Sequence, residues 1–389
     1  MKIIFSTYEA KEVGGSYLRS VSLAKALVKN GHQVILWTSA KKISLWPKFT
    51  NEKGVLVVES IGLLPYRIRK GGYDPFDLLF RSIVILFSKC NVVHSFNPRP
   101  AATLPGLIKS FFCRKVKWFV DWADLWGKGG IAELRYGPLR FFTKNIDHYM
   151  ERLMIWLPYA VTPISDDLVK KANLIRVKKN KIFFLGVGAD IDDIQPLDRN
   201  IARKQIGLST KEKILAYLYV GTYDEKLLAE TFVELNKLRH DVKLMLLGPK
   251  IPRFEQELSL KNKRLQNKVL REGIISRDLL GKYLAAADLM LLPFANKEIN
   301  LGKFPNKLGD YLAAGRPTVT NPTGEVKKVF KREQIGILAP EEPRLFAEKI
   351  NDLLNQPQQM KILGRNARLL AKRLSWSEIA KQLEGFYRQ

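Results

Sequence analysis

This chain has little with which to hold a metal or build a disulfide frame. Its two cysteines, Cys90 and Cys113, stand far apart with no CxxC pattern, which fits thiols in a reducing compartment. Four histidines occur (His32, His94, His148, His240), none in HExxH-like spacing, so a protein-bound transition metal is not expected. No uninterrupted apolar run reaches the ~18 residues of a membrane span. The nearest, from Pro75 to Val93, is broken by Asp77, Arg81 and Lys89. The opening MKIIFSTYEA has only a short apolar run before Glu9 and reads as a first strand, not a signal peptide. GxGxxG is missing, so a dinucleotide fingerprint is not supported. Helix-turn-helix, zinc-finger and RNP-like patterns are missing too.

Apolar residues and positive charge are plentiful. At 389 residues and 46% hydrophobic, the chain has material for two cores. Lys and Arg number 65 against 38 Asp and Glu. Residues 1–185 carry 30 basic and 13 acidic side chains, and the remainder 35 and 25. Such a field favours nucleic acid, an anionic membrane face or phosphorylated substrates. In the first half the cations alternate with aromatics, as in Pro65–Lys70 and Lys109–Trp118. That mixture suits lipid headgroups, or else a solvated basic face beside a buried strand.

Strand and helix patterns alternate along the chain. A strand at Lys2–Thr7 is followed by the loop Val13-Gly14-Gly15-Ser16, a helix at Tyr17–Asn30 and a strand at Gln33–Thr38. Strands are expected at Val55–Ser60, Asn91–Ser95, Val116–Val120, Ala160–Ile164 and Lys181–Leu185, with helices near Pro75–Ser88 and Ala101–Ser110. A long helix over Gly137–Leu157 carries Phe141, Phe142, Tyr149 and Trp156, read as core. Ser165 is placed to cap the next helix, with Asp166 and Asp167 in its first turn. Residues 190–213 read as a linker. The alternation restarts with strands at Ile214–Val220, Val242–Leu247 and from Val269, and helices at Lys226–Leu238, Phe254–Asn262 and Arg277–Ala287. Ser375–Arg388 is an amphipathic last helix. The expected architecture is α/β, two consecutive βα domains with a cleft between them.

The most informative stretch is Ala287–Thr320, ADLMLLPFANKEINLGKFPNKLGDYLAAGRPTVT. The run Leu289–Leu292 is closed by Pro293, and a polar loop carries Gly302 and Lys303. Pro305 suits a helix start, and Gly315 with Pro317 stops the helix. A glycine loop feeding a helix start, with Lys303 and Lys307 alongside, is a means of holding a phosphorylated small molecule at the carboxyl end of a parallel strand.

Taken together, these segments resemble the retaining, GT-B-fold glycosyltransferases of the glycosyltransferase 4 family. The resemblance rests on Gly14-Gly15-Ser16 with LAKALVKNGHQV, and on NVVHSFNPRPA, AVTPISDDL, LGVGADIDDIQP, YVGTYDEK, LMLLGP, EGIISRDLLGKYLAAADLMLLP and PNKLGDYLAAGRPTV, in that order. It implies two Rossmann-like domains facing each other across a cleft. These are an acceptor-binding domain over 1–190, a nucleotide-sugar domain over 191–370, and a helix over 371–389 returning toward the first.

The resemblance also implies roles for residues. Gly302, Lys303 and Phe304 would approach the donor diphosphate and sugar, with Lys307 and Lys226 supplying charge. Gly15 and Ser16 would face donor phosphates or acceptor, and Gly221 belongs to the donor loop. Arg277 would lie near the base. Asp310 matches the second glutamate of the family's E-x7-E motif and would hold the ribose. Two departures stand out. Gly302 occupies the place of the motif's first glutamate, for which Glu298 is the nearby substitute. Thr222 stands where an arginine usually follows the donor-loop glycine, with Lys307 as the replacement cation. Asp124 occupies the region of a cleft histidine, either to meet the sugar or take an acceptor proton, or to cap a helix. Trp122 would stack on a sugar ring or pack. His94 and Arg99 complete the acceptor candidates, Arg99 for a phosphate.

The function expected from this is retaining transfer of a hexose from a UDP- or GDP-sugar to an acceptor hydroxyl. The acceptor expected is a lipid-linked or phosphorylated glycan precursor in polysaccharide biosynthesis. The expected location is cytoplasmic, peripheral on the anionic inner face of the membrane. No cofactor is expected and no metal, since no DxD-like dyad lies in a donor position; Asp192-Asp193 reads as linker. Two alternatives are a nucleotide-sugar epimerase or hydrolase of the same fold and, on charge alone, a nucleic-acid binder, which no motif supports.

Overall fold

The computed structural model describes residues 1–69, 71–134, 140–219 and 224–389. The chain divides into two units, Met1–Val187 with Gly302–Phe304 and Trp376–Gln389, and Gly188–Leu301 with Pro305–Ser375.

The first unit is built on seven strands: β1 (Lys2–Ala10), β2 (Gln33–Ser39), β3 (Lys48–Glu52), β4 (Val55–Glu59), β5 (Val92–Phe96), β6 (Lys117–Trp122) and β7 (Ala160–Pro163). Their order is β3-β4-β2-β1-β5-β6-β7, parallel throughout except for the β3–β4 hairpin. β1 and β5 are almost wholly buried, as central strands covered on both faces by crossover helices must be. The hairpin lay outside the sequence expectation because KFTNE is polar. It forms because Lys53 and Gly54 take up positive φ (51° and 89°), the geometry of a tight two-residue turn.

Two expectations need correction here. Lys181–Leu185 is not a full strand: after a 3-10 turn at Lys179–Lys181, Ile182 bridges Val161, and the Phe183 and Leu185 N–H groups donate to the Val161 and Pro163 carbonyls of β7. The Phe183 ring stacks on Phe386 of the last helix, with ring centroids 4.6 Å apart. The second concerns the helix Arg140–Trp156, whose expected beginning lies outside the described residues. Phe141, Phe142, Tyr149 and Trp156 are exposed, not core. Its inward face carries Asp147, Glu151, Met154 and Ile155. Helical spacing marks an apolar stripe without saying what covers it.

The second unit has six parallel strands: β8 (Lys213–Leu218), β9 (Val242–Leu247), β10 (Val269–Gly273), β11 (Leu289–Leu292), β12 (Thr318–Thr320) and β13 (Gly336–Leu338). Their order is β10-β9-β8-β11-β12-β13. The core combines Leu215, Leu244, Leu246, Leu289, Leu291 and Val319 from the strands with Phe232, Phe346 and Ile350 from the helices. Residues read as linker contain a helix, Arg199–Gln205, whose Asp198 cap accepts from the N–H groups of Asn200 and Ile201. Both units therefore have the doubly wound, Rossmann-like form that the alternation predicts.

Candidate functional site

In the second unit, the carboxyl ends of β8 and β11 carry one polar group of residues. The helix Asn306–Ala313 follows β11, and its Tyr311 hydroxyl accepts from the Leu218 N–H at 2.8 Å and contacts the Leu291 carbonyl at 3.3 Å. One side chain thus pins the helix over both strands. Gly309 rests on the carbonyl of Gly188, where a β-carbon would lie 2.4 Å from the oxygen. Gly315, at φ 65°, ends the helix.

This packing buries Lys307 and Asp310. The Lys307 Nζ lies 3.1 Å from the Leu218 carbonyl and 4.5 Å from the Tyr217 ring centroid. Burial lowers its pKa to about 7, against the pull of Asp224. Arg277 donates to Asp310 at 2.7 Å and to Asp190 at 3.0 Å. Burial raises the pKa of Asp310, and Arg277 opposes it. Burial would depress Arg277, but the two carboxylates hold it above its ordinary value. Asp224, at φ 42°, accepts from the Ala295 N–H at 2.7 Å and from Lys297 at 3.0 Å. Gly221 and Thr222 lie outside the described residues.

Other expected donor residues fall elsewhere. Lys226 is a surface side chain 4.0 Å from Glu230. Glu298 begins the short helix Glu298–Leu301 and is exposed. Gly302, Lys303 and Phe304 group with the first unit. There the Gly302 carbonyl accepts from the Ser165 hydroxyl at 2.9 Å. Ser165 also caps its own helix by accepting from the Leu168 N–H.

The first unit gathers a second group at the carboxyl ends of β1, β5 and β6, which are neighbours in the sheet. Asn97, at φ 66°, is fully buried just after β5. Its amide donates to the Ser16 hydroxyl at 2.8 Å and to Asp124 at 3.2 Å, while its carbonyl oxygen accepts from the N–H groups of Ala123 and Asp124. Lys303 approaches Asp124 at 3.8 Å. The Glu9 carboxylate accepts from the Tyr17 N–H at 2.8 Å and the Tyr8 hydroxyl at 3.1 Å. Burial pushes its pKa up to about 7, with Asp124 adding to the rise. Gly15 is exposed at the start of the first helix.

The remaining acceptor candidates are interior groups already committed. His94 is fully buried, its Nδ1 2.6 Å from the Tyr387 hydroxyl and its Nε2 3.3 Å from Thr162. Burial, with Arg19 nearby, lowers its pKa to about 3. Arg99, expected to meet an acceptor phosphate, pairs with Asp147 at 2.8 Å and donates to the Gly71 carbonyl. Trp122 is buried, and its indole donates to Glu151 at 2.9 Å. Glu151 also accepts from the Trp126 and Gly127 N–H groups, and burial raises its pKa to about 7. Glu9, Asn97, Glu151 and Asp190 went unnoticed in the sequence. Asn97, Glu151 and Asp190 act through partners tens of residues away and Glu9 through the start of the first helix, and only the Asn97 position, a polar residue closing a buried strand, leaves a local trace.

Among the described residues, no group of three or more His, Cys, Asp or Glu is placed to hold a metal ion. No helix among them is long and apolar enough to cross a membrane.

Residues 215–356 match the family described as glycosyl transferases group 1. Over its whole length the chain is 24% identical to an uncharacterized glycosyltransferase, MJ1607, of Methanocaldococcus jannaschii, covering 98% of that protein. Its fold is similar to that of a sucrose-phosphate synthase from Thermosynechococcus elongatus, with a TM-score of 0.78 at 19% identity, covering 100% of this chain and 98% of that one. Anabaena HepE, solved with UDP and glucose, superposes with a TM-score of 0.74 at 16% identity over the full length of both chains. These two likenesses concern the fold, which is GT-B.

Proposed function

We propose that this chain, whose second unit carries the group 1 glycosyltransferase domain, transfers a hexose from a nucleotide sugar to an acceptor hydroxyl with retention of the anomeric configuration. The observation that carries the donor half is the buried Lys307 at the carboxyl end of β8, on a helix that also presents Asp310. A departing diphosphate develops negative charge, and a cation held in a low-dielectric place stabilises it more than the same cation in water. The UDP bound in the HepE structure supports a nucleoside diphosphate as the leaving group.

In this reading the bond from C1 to the diphosphate breaks as the bond from C1 to the acceptor oxygen forms on the same face. The acceptor proton passes to Asp124, beside Lys303. Arg277 holds Asp310 for the ribose hydroxyls. The charge on the leaving group is met by side chains, so chelators leave the rate unchanged.

The acceptor is a lipid-linked or phosphorylated glycan precursor at an anionic membrane surface. Support comes from the helix Arg140–Trp156, which exposes Phe142, Ile146, Tyr149, Leu153 and Trp156 at alternating spacings of four and three. Its acids Asp147 and Glu151 are both turned inward.

The donor half is tested by titrating UDP- and GDP-sugars into the wild type, Lys307→Ala and Asp310→Ala. At least a tenfold loss of affinity is expected for each variant, about 1.4 kcal/mol. Unchanged affinity in both variants would remove the donor assignment.

A further inference from the structure

The opposite end of the second sheet holds a cationic cavity that the transfer reaction does not use. It lies at the amino ends of β8, β11 and β12, where Lys213 begins β8, Asp288 precedes β11 and Arg316 precedes β12. Its volume is about 290 Å³, and four basic side chains line it (Arg199, Lys213, Arg316, Lys361) against one acid, Asp288.

That acid is already committed. Asp288 accepts from Arg203 at 2.6 Å, from the Ile214 N–H at 2.7 Å and from Arg199. Arg203 is saturated by this contact and by the carbonyls of Ala286 and Glu212, so it serves as a clamp on the fold. Arg199 and Arg316 are different: the Nε of each is buried and has no hydrogen-bond partner. Arg316 also donates to the Leu197 carbonyl at 2.9 Å, which fixes the guanidinium in place. Burial lowers its pKa against the pull of Asp288 and Asp198, and Arg199 and Arg203 add to the lowering. The nearby Asp198 is occupied in capping its helix. A buried guanidinium N–H without an acceptor is costly, and three guanidiniums around one carboxylate leave an excess of positive charge that an anion would neutralise.

We infer that this cavity is a second anion site, separate from the donor site, which takes the dianionic phosphate of a small phosphorylated molecule. Arg199 and Arg316 contact the phosphate, and Lys361 closes over it from the helix Pro357–Arg373. Leu354, Pro357 and Met360 on the same lining offer an apolar wall to the uncharged part of the ligand. The planar fork of arginine suits phosphate geometry.

The test is calorimetry and thermal shift with inorganic phosphate, in a chloride buffer of matched ionic strength, with UDP saturating so that the donor site is filled. Glucose 6-phosphate forms a second arm. Saturable binding of phosphate is expected, weakened at least tenfold in Lys361→Glu and in Arg199→Gln and unchanged in Lys307→Ala. Both altered side chains reach the surface, and circular dichroism verifies folding of the variants. Tighter binding of glucose 6-phosphate than of phosphate would support the apolar wall. The inference is overturned if phosphate gives no saturable response, if Lys361→Glu and Arg199→Gln both bind as the wild type does, or if Lys307→Ala abolishes the response.

Discussion

Lys307 and Glu9 each carry a pKa moved to about 7 by burial, with opposite consequences. For Lys307, burial favours the neutral amine. A diphosphate beside it favours the ammonium, so donor binding at pH 8 must draw a proton from solvent. Calorimetry of UDP binding in two buffers of different ionisation enthalpy is expected to show uptake of close to one proton in the wild type and none in Lys307→Ala. Affinity falls as pH rises above 7, by no more than tenfold per unit, because the charge must be restored before it can act.

For Glu9 the folded-state pKa lies above its ordinary value of 4.5. Between pH 4.5 and 7 the folded protein holds a proton that the unfolded chain has released, so this group's stabilisation is lost as pH rises through that window. Glu151 acts in the same direction, whereas His94, with its lowered pKa, loses stability as pH falls below its ordinary range. The comparison is therefore between wild type and Glu9→Gln, which cancels the other two groups. The stability of the variant relative to wild type should climb from pH 4.5 to about 7 and level off, by at most about 3 kcal/mol, as read from urea midpoints. A flat difference would mean that the carboxylate is solvated.

At the scale of elements, the helix Asn306–Ala313 acts as one positioning device. Lys307 and Asp310 share it, and its distance from the Gly188 carbonyl is set by the missing side chain of Gly309. Gly309→Ala would force the helix off that carbonyl. A cost of about 1–3 kcal/mol is expected, together with at least a tenfold weaker donor affinity, although Gly309 contacts no donor in the proposed reading. Normal donor affinity in a folded Gly309→Ala would show that the loop yields instead. Elements of this kind were legible in the sequence because buried parallel strands and amphipathic helices have distinct periods. Val242–Leu247 was placed to the residue, and Arg277–Ala287 to within one. What escaped depended on contacts. The polar strand Lys48–Glu52 exists through its turn and its partner β4, and Lys181–Leu185 keeps two N–H donations to β7 without becoming a regular strand. Among the candidate residues, Lys303 and Lys307 stood out as charged residues around a glycine loop, and Arg277 and Asp310 through the family resemblance. Asn97 and Glu151 did not, because each organises a loop 24 or more residues away through backbone N–H groups.

At the scale of the whole molecule, the formal charge of +27 has to be reconciled with exposed aromatics. A basic surface alone would bind any polyanion, and an apolar stripe alone would promote self-association. Together on the helix Arg140–Trp156 they favour a partner with phosphate at its surface and hydrocarbon beneath. Arg152 shares a surface hollow with Tyr149, Leu153 and Trp156 of this stripe, whereas Lys144 is paired with Glu133, and Tyr73 ties the helix's middle to the loop before Pro75–Phe87 by donating to Asp147. That second helix exposes Phe76, Leu79, Ile83 and Phe87. Each cation near an anionic leaflet contributes about 1 kcal/mol, screened beyond a Debye length of about 10 Å at 0.1 M salt, so attraction should depend on salt and retention on the aromatics. The protein is expected to sediment with phosphatidylglycerol-containing vesicles at low salt, to bind phosphatidylcholine vesicles far less, and to be released as salt rises. Replacing Phe142, Tyr149 and Trp156 together by Ser should weaken binding at least tenfold while UDP affinity stays unchanged. Equal binding by that variant would move the contact to another face. If the wild type ignored anionic vesicles at low salt, the membrane reading would fail and the donor chemistry of the second unit would stand without it.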